Sequence, residues 1–211
     1  MDELLCLDAT FPGRLAAPAL APALDALVDN AWGPLTEHCA DAPGPLAWQA
    51  YDRAATHAIL DRDRRALYLR ERDGDGAIEA QAWNHLVDTS AILYVPAART
   101  APDDPRLRAQ LARLVAALPP GGYGSIFSTA APEHVRTEVP QPLHRAVWLA
   151  ALPVASYQRW ITRDELRAAP GVTVDETADG TVWLQLSGAS YVAAPAVVDA
   201  LQTYLAVRAR W

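Results

Sequence analysis

The chain has 211 residues, 51% of them hydrophobic, and a formal net charge of −7 from 18 basic and 25 acidic side chains. This length suits one large domain or two small ones, and we expect a single domain over residues 1–211. The acidic balance argues against a dedicated nucleic-acid binder, and no apolar run approaches the about 20 residues that a bilayer-spanning helix needs.

The first third of the chain predicts a mostly helical segment over residues 1–60. Leu24, Leu27 and Val28 recur at helical spacing within residues 22–32, and Pro22 suits the first turn of that helix. A proline- and glycine-rich breaker then precedes a second predicted helix over residues 46–60.

Residues 65–211 predict an α+β body. Period-two segments on either side of an Asp-Gly-Asp-Gly turn indicate a β-hairpin, and the apolar run at residues 91–95 indicates an interior strand. Asp104 and Pro105 suit the N-cap and first position of an amphipathic helix. Further on, the patterns predict strands at 123–128 and 146–152, a helix at 157–166, a hairpin at 172–186 and a last helix at 195–208. The expected fold class is therefore α+β, with a mainly antiparallel sheet and amphipathic helices packed on it.

Residue types that carry chemistry do not assemble into a motif. No pair of histidines shows the spacing that places two imidazoles on one helical face, and Cys6 and Cys39 lack a CxxC arrangement. Ser125 lacks the glycine that stands two positions after the serine in a nucleophile elbow. We therefore expect no cofactor and no metal site, two reduced cysteines, and a buried, inert thiol at Cys6.

Two alternatives to a plain binding role stay open. A small hydrolase or ligand-binding enzyme would build its site from loop residues such as His134, His144 and Asp88, and it would show a deep pocket with convergent polar groups. A phage- or secretion-associated adaptor would bind a protein partner without inhibiting it.

The order of elements between about residues 91 and 208 carries a family resemblance. An interior strand ends at Val95-Pro96, a helix runs through 114–120 into the strand at 123–128, a strand follows at 147–152, and a hairpin spans 179–186. Trp148 and Leu149 fit a tryptophan-centred strand, although Ala151 stands where a tyrosine is common. In these features the chain resembles the immunity protein 52 family and the related type VI immunity family.

The resemblance implies a small cytoplasmic protein that neutralises a bacterial toxin by binding it, without enzymatic turnover. Because Met1-Asp2-Glu3 opens with acids where a signal peptide carries positive charge, we expect a cytoplasmic protein and a toxin that acts in the cytoplasm. Toxins found beside this family are typically nucleases, whose clefts for nucleic-acid phosphates are basic. An acidic inhibitor suits such a cleft.

Acidic residues in turns and beside strands are the candidate toxin-binding residues. Complementary charge raises the rate and specificity of association with a basic partner. The candidates are Asp73, Asp75, Asp175, Glu176 and Asp179.

Overall fold

The structure, a computed structural model, describes residues 3–40, 47–61, 66–72, 78–85, 87–131, 143, 147–186 and 190–210. Its helices are α1 (Ala17–Val28), α2 (Arg53–Asp61), α3 (Pro105–Ala116), α4 (Val154–Tyr157), α5 (Arg163–Arg167) and α6 (Pro195–Arg208). Its strands are β1 (Leu4–Pro12), β2 (Asp29–Asn30), β3 (Gly33–Pro34), β4 (Glu37–Ala40), β5 (Gln49–Ala50), β6 (Ala66–Arg70), β7 (Glu79–Asn84), β8 (Asp88–Pro96), β9 (Tyr123–Ser128), β10 (Leu149–Leu152), β11 (Thr173–Glu176) and β12 (Val182–Gln185).

Ten of these strands form one sheet in the order β11-β12-β10-β9-β1-β8-β7-β6-β4-β5. Every pairing in it is antiparallel. This confirms the predicted fold class, α+β with a mainly antiparallel sheet.

The N-terminal third differs from the mostly helical segment expected over residues 1–60. Its first element, β1, lies in the middle of the sheet, paired along its whole length with β8 and over six residues with β9. Alternate residues Leu5, Leu7 and Ala9 are fully buried on one face of the sheet, and Cys6 and Thr10 between and beyond them are also buried, as in an interior strand. The two expected helices are present, but α1 begins at Ala17 and contains Pro22, and α2 begins at Arg53.

Helices cover the two faces of the sheet at different places. Helices α1 and α3 pack on the face that carries Leu7 and Leu93, and Leu107 and Leu111 of α3 belong to the same apolar cluster. On the opposite face, near the β12 end, Leu152 and Leu184 cluster with Leu166 of α5 and Leu201 of α6. The β9–β12 end of the sheet is therefore covered on both sides.

Side-chain caps explain where α3 and α5 begin. Asp104 caps α3 by accepting a hydrogen bond from the Arg106 N–H at 2.9 Å. Thr162 and Glu165 form a reciprocal capping box at the start of α5. The single helix predicted at residues 157–166 is therefore two short helices, because the α5 cap falls inside that range. In the part of the chain that the structure describes, no helix is long and apolar enough to cross a membrane.

Candidate functional site

An open groove of about 730 Å³ lies between α3 and the turn of the β11–β12 hairpin. Exposed alanines of α3, Ala112 and Ala116, form one wall together with Val115, and Trp183 of β12 contributes the largest side chain. Its lining is mainly apolar, and Asp179 is the one charged residue among the described residues that line it. The sheet and helix thus leave an accessible apolar depression at the end of the β9–β12 strands.

Glycines shape the end of the groove where α3 turns into β9. Gly121 lines the groove and has a φ of +104°, a conformation that glycine adopts without a steric penalty. At Gly124 in β9, a Cβ atom would lie 2.5 Å from Val115 Cγ2 and 2.8 Å from Leu111 Cδ1. The absence of side chains here lets the strand approach α3 closely, which fixes the helix that forms one wall.

Trp183 is 4% exposed and is held against the α3 side of the sheet by Arg108. The Arg108 guanidinium lies 4.5 Å from the centroid of the indole ring and forms an ion pair with Asp175. The indole N–H of Trp183 is buried and has no hydrogen-bond acceptor among the described residues. Trp183 thus gives the groove a fixed aromatic floor.

Asp179 lies at the tip of the hairpin, where its carboxylate accepts hydrogen bonds from three groups. The donors are the Thr177 hydroxyl, the Thr181 N–H at 3.1 Å and the Thr181 hydroxyl at 3.2 Å. These bonds, the Thr177 hydroxyl foremost, lower the pKa of Asp179 below its ordinary value, so the carboxylate is ionised at neutral pH. Within the described ranges no basic side chain forms an ion pair with it.

A second depression, of about 560 Å³, lies on the other side of the same hairpin tip. Tyr157 at the end of α4 and Arg163 at the start of α5 line it, and Asp179 lines both depressions. The charged tip of the hairpin therefore forms a ridge between two hollows.

Asp175 and Glu176, the two other candidate acids that the structure describes, point to opposite faces of the sheet, as neighbouring strand residues do. Asp175 pairs with Arg108 on the α3 side, whereas Glu176 pairs with Arg163 and Arg167 of α5. The side chain of Glu176 is 18% exposed. Both carboxylates are neutralised within the chain, so they form no acidic patch with Asp179.

Four other candidate residues lie outside the described residues: Asp73, Asp75, His134 and His144. Asp88, the remaining residue of the enzyme alternative, begins β8 and pairs with Pro12. Cys6 and Cys39 are both buried and form no disulfide, and the burial of Cys6 confirms the expectation for that residue. Among the described residues, no group of three or more His, Cys, Asp or Glu could hold a metal ion.

Sequence reasoning missed the groove because its walls come from segments far apart in the chain. One local signal was present. Ala109, Ala112 and Ala116 share the exposed face of α3 with Arg106 and Arg113, although polar side chains are the rule on a solvent-facing surface.

The fold and the groove together define an α+β protein with an exposed apolar depression beside a charged hairpin tip. A comparison with protein-family models finds no match, and a comparison with curated proteins finds none either. Among solved structures, the chain is similar to the Pseudomonas aeruginosa T6SS protein PA0821, with a TM-score of 0.53 and 18% identity. The similarity covers 98% of this chain and 77% of that chain. At this level of identity, the likeness shows a shared fold.

Proposed function

We propose that this protein is an immunity protein that binds and neutralises a toxin of a type VI secretion system. The observation that carries the proposal is the likeness of fold, over 98% of the chain, to a protein described as a T6SS protein. The order of elements that resembles the type VI immunity family gives independent support, because the resemblance rests on sequence alone.

Charge supports a basic target for this binding. The chain carries a net charge of −7, and a toxin that cleaves nucleic acid must hold phosphates in a basic cleft. Opposite net charges accelerate encounter and disfavour wrong partners. We therefore propose a nuclease that acts in the cytoplasm as the toxin, and a cytoplasmic location for this protein.

The proposal is tested by expressing the product of the adjacent gene in a naive host, alone and together with this protein. Growth arrest by the neighbour alone, relieved only by co-expression, is the expected result. Purified neighbour and purified chain should then form a stable complex on gel filtration. Toxicity that the chain does not relieve would contradict immunity.

An adaptor for the same secretion system is the second candidate, since the shared fold fits it equally. The two differ in one readout. An adaptor forms the complex but leaves the toxicity of its partner unchanged, whereas an immunity protein abolishes it.

A further inference from the structure

We propose that the groove between α3 and the β11–β12 hairpin receives an apolar side chain of the toxin, and that an arginine or lysine beside this side chain pairs with Asp179. This inference rests on the proposed toxin binding and deepens it by naming the surface and the chemistry of the segment that binds there. The groove offers what the anchor residue of an interface requires, namely an apolar cavity of about 730 Å³ in which Trp183 forms a fixed aromatic floor.

The apolar half of the argument concerns the exposed wall of α3. Ala112 and Ala116 are exposed, although they face a depression that also contains Val115 and the nearly buried Trp183. An apolar side chain placed in this depression removes water from the α3 alanines and from Trp183 at once. This stabilises a complex in proportion to the apolar area that is buried.

The charged half of the argument concerns the rim of the groove. In the described part of the chain, Asp179 is the charged residue of the lining, its carboxylate is ionised, and no cation pairs with it. Asp175 is already neutralised by Arg108, and Arg159 lies near Gly121, where it would repel a second cation. The cation of the partner is therefore expected at the hairpin tip, next to Asp179.

The position of the groove fits a protein segment. The turn of the hairpin projects between two depressions, and Asp179 lines both of them. A loop or helix of the toxin can therefore place an apolar side chain on one side of the tip while its cation contacts the ridge.

The first experiment fills the groove. Ala112→Trp places a large side chain on an exposed position of α3, and Ala58→Trp makes the same change on an exposed position of α2, away from the groove. The probe is the purified product of the adjacent gene, and the readout is its dissociation constant for each variant. We expect A112W to weaken binding roughly 30-fold or more, as expected when a central anchor is lost, and A58W to change it less than about twofold.

The second experiment leaves the groove open and measures its accessibility. Both native cysteines are 2% exposed, so a maleimide will react much faster with a cysteine introduced at a surface position. In the complex, we expect labelling of the A116C variant to slow at least about tenfold, because interface cores exclude water and reagent. Labelling of the A58C variant should not change.

The outcomes separate the two proposals. If the unaltered chain relieves toxicity while A112W binds normally and the A116C thiol reacts equally fast in the complex, the groove assignment is overturned and the immunity function stands. If the unaltered chain binds no toxin and relieves no toxicity, both fall. Weakened binding by A112W together with protection of the A116C thiol supports the assignment. The protection is measured on a separate variant, so it does not depend on whether A112W folds correctly.

Discussion

Asn84 of β7 forms two hydrogen bonds with the backbone of Leu15, in the loop between β1 and α1. Its side-chain nitrogen donates to the Leu15 carbonyl at 2.7 Å, and its oxygen accepts from the Leu15 N–H at 3.0 Å. The Thr89 hydroxyl also donates to the same oxygen, at 2.8 Å. Asn84 is 3% exposed and Leu15 is 8% exposed, so this side chain supplies the buried backbone of Leu15 with hydrogen bonds that a strand or helix would otherwise provide.

Replacing Asn84 with leucine should lower the free energy of unfolding by about 2–4 kcal/mol, because the Leu15 carbonyl would lose its donor and the Leu15 N–H would keep only the Thr89 hydroxyl, at 3.2 Å. Urea denaturation followed by tryptophan fluorescence measures the change. Thr173→Val, at an exposed position of the edge strand β11, is the control and should stay within about 0.5 kcal/mol of the unaltered chain. Equal midpoints for N84L and the unaltered chain would contradict this assignment.

Replacing Gly124 with alanine should lower the free energy of unfolding by about 1–3 kcal/mol, since the new Cβ would overlap Val115 and Leu111 of α3. The double variant with Val115→Ala removes the closer of the two overlaps, the one with Val115 Cγ2. We therefore expect the two changes to cost less together than the sum of their separate effects. Additive losses in thermal denaturation would show that the approach of β9 to α3 is looser than described.

The N-cap of α3 predicts a pH-dependent contribution to stability. Hydrogen bonds from Arg106, with a further one from Thr100, lower the pKa of Asp104 from 3.8 to about 2. Because the folded pKa lies below the unfolded one, the contribution is complete above about pH 4 and is lost as the pH falls toward 2. Asp104→Ala should therefore cost about 1 kcal/mol at neutral pH, and the cost should shrink over that window.

Asp103→Ala is the matched control for the N-cap, because Asp103 is the exposed neighbour that does not cap the helix. Its unfolding free energy should stay within about 0.5 kcal/mol of that of the unaltered chain at neutral pH. A constant difference between D104A and the unaltered chain from neutral pH down to pH 2 would rule out a contribution from the ionised carboxylate.

Charge reversal at the hairpin tip should slow toxin binding. Asp179→Arg is expected to lower the association rate constant roughly tenfold at low salt, with a smaller effect at high salt, because rim charges act mainly on encounter. Asp61→Arg changes the net charge equally at an exposed site on α2 and should have a much weaker effect. Stopped-flow fluorescence measures both, and equal rate constants for the two variants would remove Asp179 from the interface.

Glu176→Gln should behave differently from the Asp179 variant, since Glu176 is paired with Arg163 and Arg167 inside the chain. We expect the E176Q variant to have a lower thermal stability, because it loses the ion pairs with both arginines. Its association rate constant should stay within about twofold of that of the unaltered chain, because the charge of Glu176 is already compensated. A large loss of association rate in E176Q would return this residue to the set of contact residues.

Elements with local signals were predictable from the sequence. The helix α3 follows from its proline and its apolar stripe, which lie within the helix, and from its cap, which directly precedes it. The strand β9 and the helix α6 also have the bounds that the sequence predicts. In each case, the signal that determines the element is contained in the element.

Elements that depend on distant partners were not predictable. The strand β1 has no hairpin partner beside it, and its pairing with β8 and β9 lies outside any local window. The acidic candidates illustrate the same limit, because sequence places Asp175 and Glu176 together whereas the strand sends them to opposite faces. The lining of the groove comes from three separate segments of the chain, which no local pattern brings together. The exposed alanines of α3 were its one local signal.

The place of β1 in the sheet also has a consequence for biosynthesis. This strand leaves the ribosome before both of its partner strands, because Leu4 pairs with Pro96 and Leu5 with Ser128. Until those residues emerge, the apolar face of β1 has no sheet to join and its backbone edges are open to other chains. Closure of the centre of the sheet must therefore wait until β8 and β9 have been synthesised, and such non-local closure is slow. We expect nascent or prematurely terminated chains of this protein to depend on chaperones.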